Sequence, residues 1–373
     1  MKLQRITAHG RWFPEIDGLR FVAIFAVLLV HILGMTLNST PGGFAADPHS
    51  ASFILHGERL ARGVQLFFVI SGFILAQPFL NELEDGGRKV SLKAFYRRRL
   101  TRLEPPYILA LLLYFFGFVL LHAAPLHVLL LSLLSSIFYV HNFIFINLKP
   151  INPVTWSLEV EVQFYLLAPL LARVFRIPSL LWRRALLVTG TVVLASLPWH
   201  WLDRHGIMFP VHACYFVLGY LLADLRIHLR PDWSHPLWDA VSVVCFPVFF
   251  FIDGGHFERL LLSALLLLCF AGAMLGPLSR QLLARKWIAL FGGMCYSIYL
   301  LHMLVFSLAT RVTRHVMVFH GFYANYALHV VLLVPVVLAV SMAYFLLIER
   351  PCMDPHWPGK LLQWFRGDRR SAA

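Results

Sequence analysis

Arg20 and His31 are the first two residues of the chain whose types and spacing could do chemistry. Ten apolar residues, Phe21 to Val30, separate them. On an α-helix eleven steps make three turns plus about 20°, so both side chains leave nearly the same face, with His31 roughly 16 Å further along. The stretch that holds them, EIDGLRFVAIFAVLLVHILGMTL at 15–37, reads as a membrane-spanning helix. An ionisable group at that depth is costly and points to function. A buried imidazole can take a proton from a hydroxyl or carry a group itself. It can also serve only as a hydrogen-bonding contact between helices.

Three other stretches carry polar groups into apolar surroundings. In YRRRLTRLEPPY at 96–107, Arg99 and Arg102 lie three apart and share a helix face. They read either as an anchor that sets membrane orientation or as a phosphate clamp, since guanidinium grips phosphate with two parallel hydrogen bonds. Coenzyme A, with its phosphates and its cytoplasmic origin, would suit such a clamp. In TWSLEVEVQFYLLAPLL at 155–171, Glu159 and Glu161 are two apart, about 200° around a helix, so they cannot both face one site. Glu161 and Tyr165 do share a face. The carboxylate reads as the partner of an imidazole or as half of a structural ion pair. In LFGGMCYSIYLLHMLVF at 290–306, Gly292 and Gly293 permit close helix approach. His302 either lines the cavity of His31 or bonds a neighbouring helix. Ser71-Gly72 reads as a packing point first and a site residue second. Trp156, Trp199, Trp201 and Trp287 fall near the ends of apolar runs, where an interfacial belt forms.

The elements that must position these groups follow from composition. Of 373 residues 59% are hydrophobic and only 14% charged, against roughly 25% charged in soluble domains. The expected fold is an all-α polytopic membrane protein, a single integral domain over 1–373 with its motif-bearing core at about 15–353. The net charge of +13 sits beside the apolar runs, where positive residues mark the cytoplasmic side, so nucleic acid is excluded as a partner. Five scattered cysteines form no CxxC pair and suggest no disulfide framework. No histidine pair stands at metal-ligand spacing beside a carboxylate, so no metal is expected.

Taken in order, helix one spans about 17–37 and is retained, since no small-residue cleavage site ends the run. Residues 38–62 read as an external loop, 63–80 as helix two, 81–103 as a strongly basic cytoplasmic segment and 104–122 as helix three, with Pro105 and Pro106 in its first turn. Apolar runs follow at about 126–146, 154–172, 185–201, 211–228, 238–252, 258–275, 287–308 and 324–348. If 126–146 crosses the membrane, three later basic groups fall outside. If it enters and returns, they fall inside with the tail, and Arg311 and Arg314 are the misfits. Charge bias therefore favours about ten transmembrane helices plus one re-entrant or interfacial segment, with both termini cytoplasmic. His141, Asn142, Asn147, Lys149 and Asn152 suit a segment facing water or a cavity.

Six pieces now stand in order: Arg20–x10–His31 after Asp17-Gly18-Leu19, FFVISGF (67–73), RLTRLEP (99–105), WSLEVEVQFY (156–165), YSIYLLH (296–302) and ERPCM (349–353). Together they resemble acyltransferase family 3, membrane acyltransferases that modify sugars and other molecules on the far side of a membrane. The resemblance implies acyl-CoA, commonly acetyl-CoA, as co-substrate, with no permanently bound cofactor. It implies His31 and Glu161 as catalytic residues and Arg20, Arg99 and Arg102 as acyl-CoA-binding residues. Asp17, Ser71, Trp156, Ser157, Tyr165, Tyr299 and His302 are expected to line the cavity. The expected partners are a hydroxyl-bearing acceptor such as a cell-surface or lipid-linked glycan, the lipid bilayer, and a separate extracytoplasmic transferase where the chain does not complete transfer itself. The implied location is the bacterial inner membrane. Two positions depart from the family pattern: Gln65 stands where Asp is frequent, and Glu159 where an acid is unusual. The rival reading is a transporter or channel that uses the same Arg, His and Glu groups as an ion or proton path.

Overall fold

The computed structural model describes residues 13–38, 48–84, 89–145, 150–199, 208–313, 322–354 and 357–359. These residues are mainly helical, with no strand among them. Lys2, Arg5 and Arg11, loop residues 39–47, Asn147, Lys149, Trp201, Arg314 and the basic residues from Lys360 onward lie outside them. In chain order the helices are α1 (Pro14–Asn38), α2 (Pro48–Glu58), α3 (Gly63–Glu84), α4 (Leu92–Leu120), α5 (Leu126–Ile137), α6 (His141–Ile144), α7 (Trp156–Leu171), α8 (Leu180–Ser196), α9 (Phe209–Ile227), α10 (Leu237–Phe251), α11 (Glu258–Leu275), α12 (Pro277–Leu283), α13 (Lys286–Gly293), α14 (Cys295–Thr313), α15 (Phe322–Tyr344) and α16 (Arg350–Cys352). A π-helical turn, Phe345–Glu349, joins the last two.

Among the described residues five stretches are long and apolar enough to cross a membrane: Pro14–Asn38, Ala51–Leu83, Leu92–Leu120, Gly255–Leu275 and Phe322–Cys352. A sixth arises if α13 and α14 are counted as one span. The chain is thus a multi-pass helical membrane protein. Fewer stretches meet the length and apolarity criteria than the ten expected, because α7, α8 and α10 have only 16, 17 and 15 residues.

Three expectations are corrected. The described part of 38–62 is not loop: Pro48 opens a helix, a 3-10 turn at Arg59–Arg62 follows, and the backbone runs on into α3. Helix three begins at Leu92, where Ser91 accepts the Ala94 N–H at 3.3 Å. The basic run is therefore the first turns of α4, and Pro105 and Pro106 lie in its interior. The run 287–308 is broken at Met294 with a bend of 69°. The run 126–146, expected to be re-entrant or interfacial, contains two short helices; α5, with 12 residues, is about 18 Å long, well short of the roughly 30 Å hydrocarbon core.

Contacts between helix ends sort the bundle into two ends. At one end, Tyr96 near the start of α4 donates to Leu166 O near the end of α7 (3.1 Å). There, too, Asp224 near the end of α9 pairs with Arg183 and Arg184 at the start of α8 (2.5 and 2.8 Å). Arg226 lies over the Phe13 ring before α1 (3.8 Å), and Asp239 at the start of α10 accepts the Ser279 N–H of α12 (2.7 Å). At the other end, Arg59 and Arg62 ahead of α3 meet the C-terminus of α10, and Arg259 of α11 donates to Ala195 O near the end of α8 (3.1 Å).

The Arg62 contact is the most heavily used. Its Nη1 is shared among the carbonyls of Phe249 (2.9 Å), Phe250 (3.2 Å) and Ile252 (2.8 Å), and its Nη2 pairs with Glu258. These are carbonyls that a helix end leaves unpaired, so the guanidinium caps α10. Arg62→Met is expected to leave them unsatisfied and to cost about 2–3 kcal/mol. Denaturant unfolding in lipid nanodiscs checks this; unchanged stability would show that the cap contributes nothing.

Helix α1 packs against α3, α12, α13, α14 and α15. Close approach to α13 rests on Gly292, where a Cβ would collide with the Asp17 carbonyl. This contact holds the start of α1, and with it Asp17 and Arg20, in place.

Candidate functional site

A cavity of about 640 Å³ runs beside α1, bounded by α3, α4, α7, α14 and the segment after α15. On α1 its lining extends from Ile16 to His31, roughly 22 Å along the helix axis. Of the residues expected at the site, Asp17, Arg20, His31, Ser71, Arg99, Arg102, Trp156, Ser157, Glu161, Tyr165 and Tyr299 line this cavity. His302 does not; it is fully buried one layer behind, its ring against that of His31.

One end of the cavity is built for negative charge. Arg20 is held by Asp17 one turn earlier, Nη1 to Oδ1 at 2.8 Å. The Arg99 guanidinium lies over the Phe95 ring (3.5 Å), donates to Phe95 O (3.0 Å) and stands 5.7 Å from the Tyr165 ring. Arg102 lies one turn further along α4, and its buried Nε has no hydrogen-bond partner. An unpaired guanidinium donor beside an open cavity is suited to an anionic group of a ligand. Two carboxylates temper this charge. Glu161 Oε1 accepts from Ser71 Oγ (2.5 Å) and from Tyr165 OH (2.6 Å), and Arg20 lies within its field. Glu349, 1% exposed, accepts from Ser297 N (3.1 Å) and Ser297 Oγ (2.5 Å), within the fields of Arg102 and Arg20.

The other end is apolar around one base. Val27, Ala61 and Val64 line it beside His31. The His31 ring meets His302 at a centroid distance of 5.2 Å and a tilt of 39°. His302 in turn meets Tyr299 at 6.3 Å. The Tyr299 hydroxyl bonds Val154 O and lies 3.1 Å from Ser157 Oγ.

Of the two readings of Glu161, partner of an imidazole or half of an ion pair, neither describes its hydrogen bonds. Glu161 bonds Ser71 and Tyr165 at the arginine end, and the neighbour of His31 is a second histidine. The 200° separation of the two acids does operate. Glu161 faces the cavity, while Glu159 is 1% exposed, turned away from it and accepting from Asn142 N at 3.1 Å. Trp156 is a cavity wall, with Phe68 and His212 against its ring. Sequence reasoning left Glu349, Arg98, Cys295 and Tyr296 out of the site, and all four line the cavity. The signal for Glu349 was present: it is the only carboxylate between Phe322 and Cys352.

The chain is a multi-pass helical membrane protein whose arginine-lined cavity extends to His31. The chain matches the acyltransferase 3 family, described as an acyltransferase domain, over residues 13–346, and it belongs to that family. It is 27% identical over 333 residues to the O-acetyltransferase OatA of Staphylococcus aureus, a match covering 78% of this chain and 50% of that protein. It is 26% identical over 347 residues to the peptidoglycan O-acetyltransferase OatA of Listeria monocytogenes, covering 83% and 52%. A putative O-acetyltransferase of Staphylococcus aureus is 30% identical over 171 residues, covering 43% and 25%. The chain thus spans a quarter to about half the length of these curated relatives. No solved structure matches it.

Proposed function

We propose that the chain is a membrane O-acyltransferase. It moves an acyl group, in the first instance acetyl, from cytoplasmic acyl-CoA to a hydroxyl of an extracytoplasmic acceptor, a cell-surface or lipid-linked glycan. The observation that carries this reading is one continuous cavity with a guanidinium cluster at one end and His31 at the other. Arg20, Arg99 and Arg102 hold the phosphates of the donor, and the pantetheine arm lies along α1 and brings the thioester to His31. His31 acts as general base on the acceptor hydroxyl, which is a poor nucleophile at neutral pH. The C–O bond forms, the C–S bond breaks, and the proton taken by His31 passes to the departing thiolate. Glu161, tied to two hydroxyls, sets the charge and shape of the donor grip. The naming of two relatives as O-acetyltransferases, one of them for peptidoglycan, supports acetyl and glycan as the groups exchanged.

The topology that goes with this reading is ten spans in a bacterial inner membrane, both termini cytoplasmic. Contacts between helix ends support it. The start of α4 and the end of α7 meet at one end of the bundle, so α5 and α6 leave from and return to the other end. That disposition also brings the basic starts of α4 and α8 to a single side, as the positive-inside rule requires.

The test is release of CoA from acetyl-CoA by the chain in lipid nanodiscs, with surface glycan fragments as acceptors. Arg102→Met and Arg99→Met are each expected to raise KM for acetyl-CoA about 10–100-fold with kcat little changed, since each removes a charge-assisted contact made equally in ground and transition states. An unchanged KM in both variants would dismiss the phosphate grip.

A further inference from the structure

We propose that His302 is the positioning partner of His31, accepting a hydrogen bond from its ring and supporting the imidazolium that forms when His31 takes the acceptor's proton. The inference rests on His31 being the base of the transfer.

The first observation is placement. His302 has 0% exposure and does not reach the cavity, yet its ring is in direct contact with His31, 5.2 Å between centroids. The two residues stand on different helices, α1 and α14, so the contact is made by the fold and not by local sequence. The second is hydrogen bonding. His302 Nδ1 lies 3.0 Å from Ile298 O, the carbonyl one turn back on its own helix. A carbonyl only accepts, so Nδ1 carries the ring proton, and in a neutral imidazole Nε2 is then a lone pair. Nε2 is buried without a hydrogen-bond partner. A buried acceptor left open is costly, and in a native structure it calls for an explanation.

The surroundings supply one. With Nδ1 turned back along α14, Nε2 is the corner of the ring that points away from its own helix. The other aromatic rings against it are Phe306 at 5.8 Å and Tyr299, whose hydroxyl is already bonded to Val154 O. His31 is the neighbour with a proton to give. In the structure it makes no hydrogen bond to any described residue, His302 included; with the two rings already in contact, a turn of the His31 ring would aim one nitrogen at His302 Nε2 while the other faces a substrate hydroxyl. A base oriented by a third group is the arrangement that activates hydroxyl acceptors generally. A neutral histidine fills that place here, in an apolar bundle where a buried carboxylate would be far more costly.

The proposal is tested on the full chain in nanodiscs by two readouts: CoA release from acetyl-CoA, and the rate at which diethyl pyrocarbonate modifies His31, followed by mass spectrometry of its peptide. His302→Phe keeps a ring and removes the acceptor. It is expected to lower kcat about 10–100-fold with KM for acetyl-CoA unmoved, and to slow modification of His31 several-fold. His302→Gln, which returns an amide oxygen near the Nε2 position, is expected to restore much of both. Should His302→Phe not accumulate, His302→Leu serves the same purpose. Equal modification rates at His31 in wild type, Phe (or Leu) and Gln variants would overturn the positioning role. A modification rate that responds as expected, beside CoA release that survives in His31→Ala, would overturn the transfer reading and leave the positioning intact.

Discussion

His31→Ala is expected to abolish acyl transfer while leaving the protein folded and still able to bind its donor. Loss of a positioned general base costs typically 10²–10⁴ in rate, about 3–5 kcal/mol in transition-state free energy. The structure argues that little else should change. The one partner assigned to His31 is His302 Nε2, which is already unbonded in the structure, and His31 borders an open cavity, so truncation leaves no sealed void. The change in stability should stay within about 1 kcal/mol. Arg20 lies roughly three helical turns away along α1, and Arg99 and Arg102 stand on α4, so the arginine end proposed to hold the donor should not feel the loss. Acetyl-CoA affinity by calorimetry should therefore match wild type while transfer of labelled acetyl to a glycan falls to background. Transfer that continues in this variant would remove His31 from the chemistry and dissolve the reading of the cavity.

The outline of this site was legible because a membrane exaggerates the meaning of polar residues. Arg20 and His31 stand out in an apolar run, and helical periodicity alone puts them on one face, where both line the cavity. The separation of Glu159 from Glu161 followed from the same geometry. What periodicity cannot give is which helix comes next to which. The contact of His31 with His302 joins residues far apart in the chain, and nothing in either local stretch encodes it. Glu161 was left between an imidazole and an ion pair for the same reason: its partner Ser71 lies on α3, visible only once α3 and α7 are packed.

The breaks in the helices were hidden for a more local reason. Helix ends are read from Gly and Pro, yet α4 and α5 end on His122 (φ 50) and Tyr139 (φ 56). In both, the next N–H returns to the carbonyl five residues back, Ala123 to Phe118 at 2.9 Å and Val140 to Ser135 at 3.0 Å. These are Schellman endings made without glycine. The left-handed conformation at Tyr139 is supported from elsewhere: its ring stacks on Tyr107 (4.9 Å) and its hydroxyl donates to Glu104 (3.0 Å). A run of apolar letters from 126 to 146 contains no sign of this. The reverse error arose at 48–62, where Pro48, read as a loop residue, in fact starts a helix.

Gly72→Ala is expected to be among the most damaging single-methyl additions in the chain, and it ties packing to the site. Helix α3 crosses α9 with the two backbones in contact. A Cβ at Gly72 would meet the Phe216 carbonyl, and one at Gly219 would meet Val69 O and Phe73 N. These obstacles are main-chain atoms, which cannot rotate aside as a side chain would. Overpacking usually costs about 1–3 kcal/mol, and here the upper part of that range or beyond is expected, because the helices must separate. The neighbouring residue is Ser71, whose hydroxyl holds Glu161 at 2.5 Å. Moving α3 away from α9 should therefore disturb the donor end of the cavity as well, raising KM for acetyl-CoA in whatever protein still folds. Gly190→Ala on α8 is the control: its Cβ would sit 3.6 Å from Val217 Cγ1, an ordinary contact, so it should be neutral or gain up to about 1 kcal/mol from helix propensity. Thermal unfolding of both variants in the same nanodiscs separates a crossing that depends on glycine from one that merely contains it. Equal melting temperatures for Gly72→Ala, Gly190→Ala and wild type would mean that α3 and α9 do not approach as closely as the structure places them.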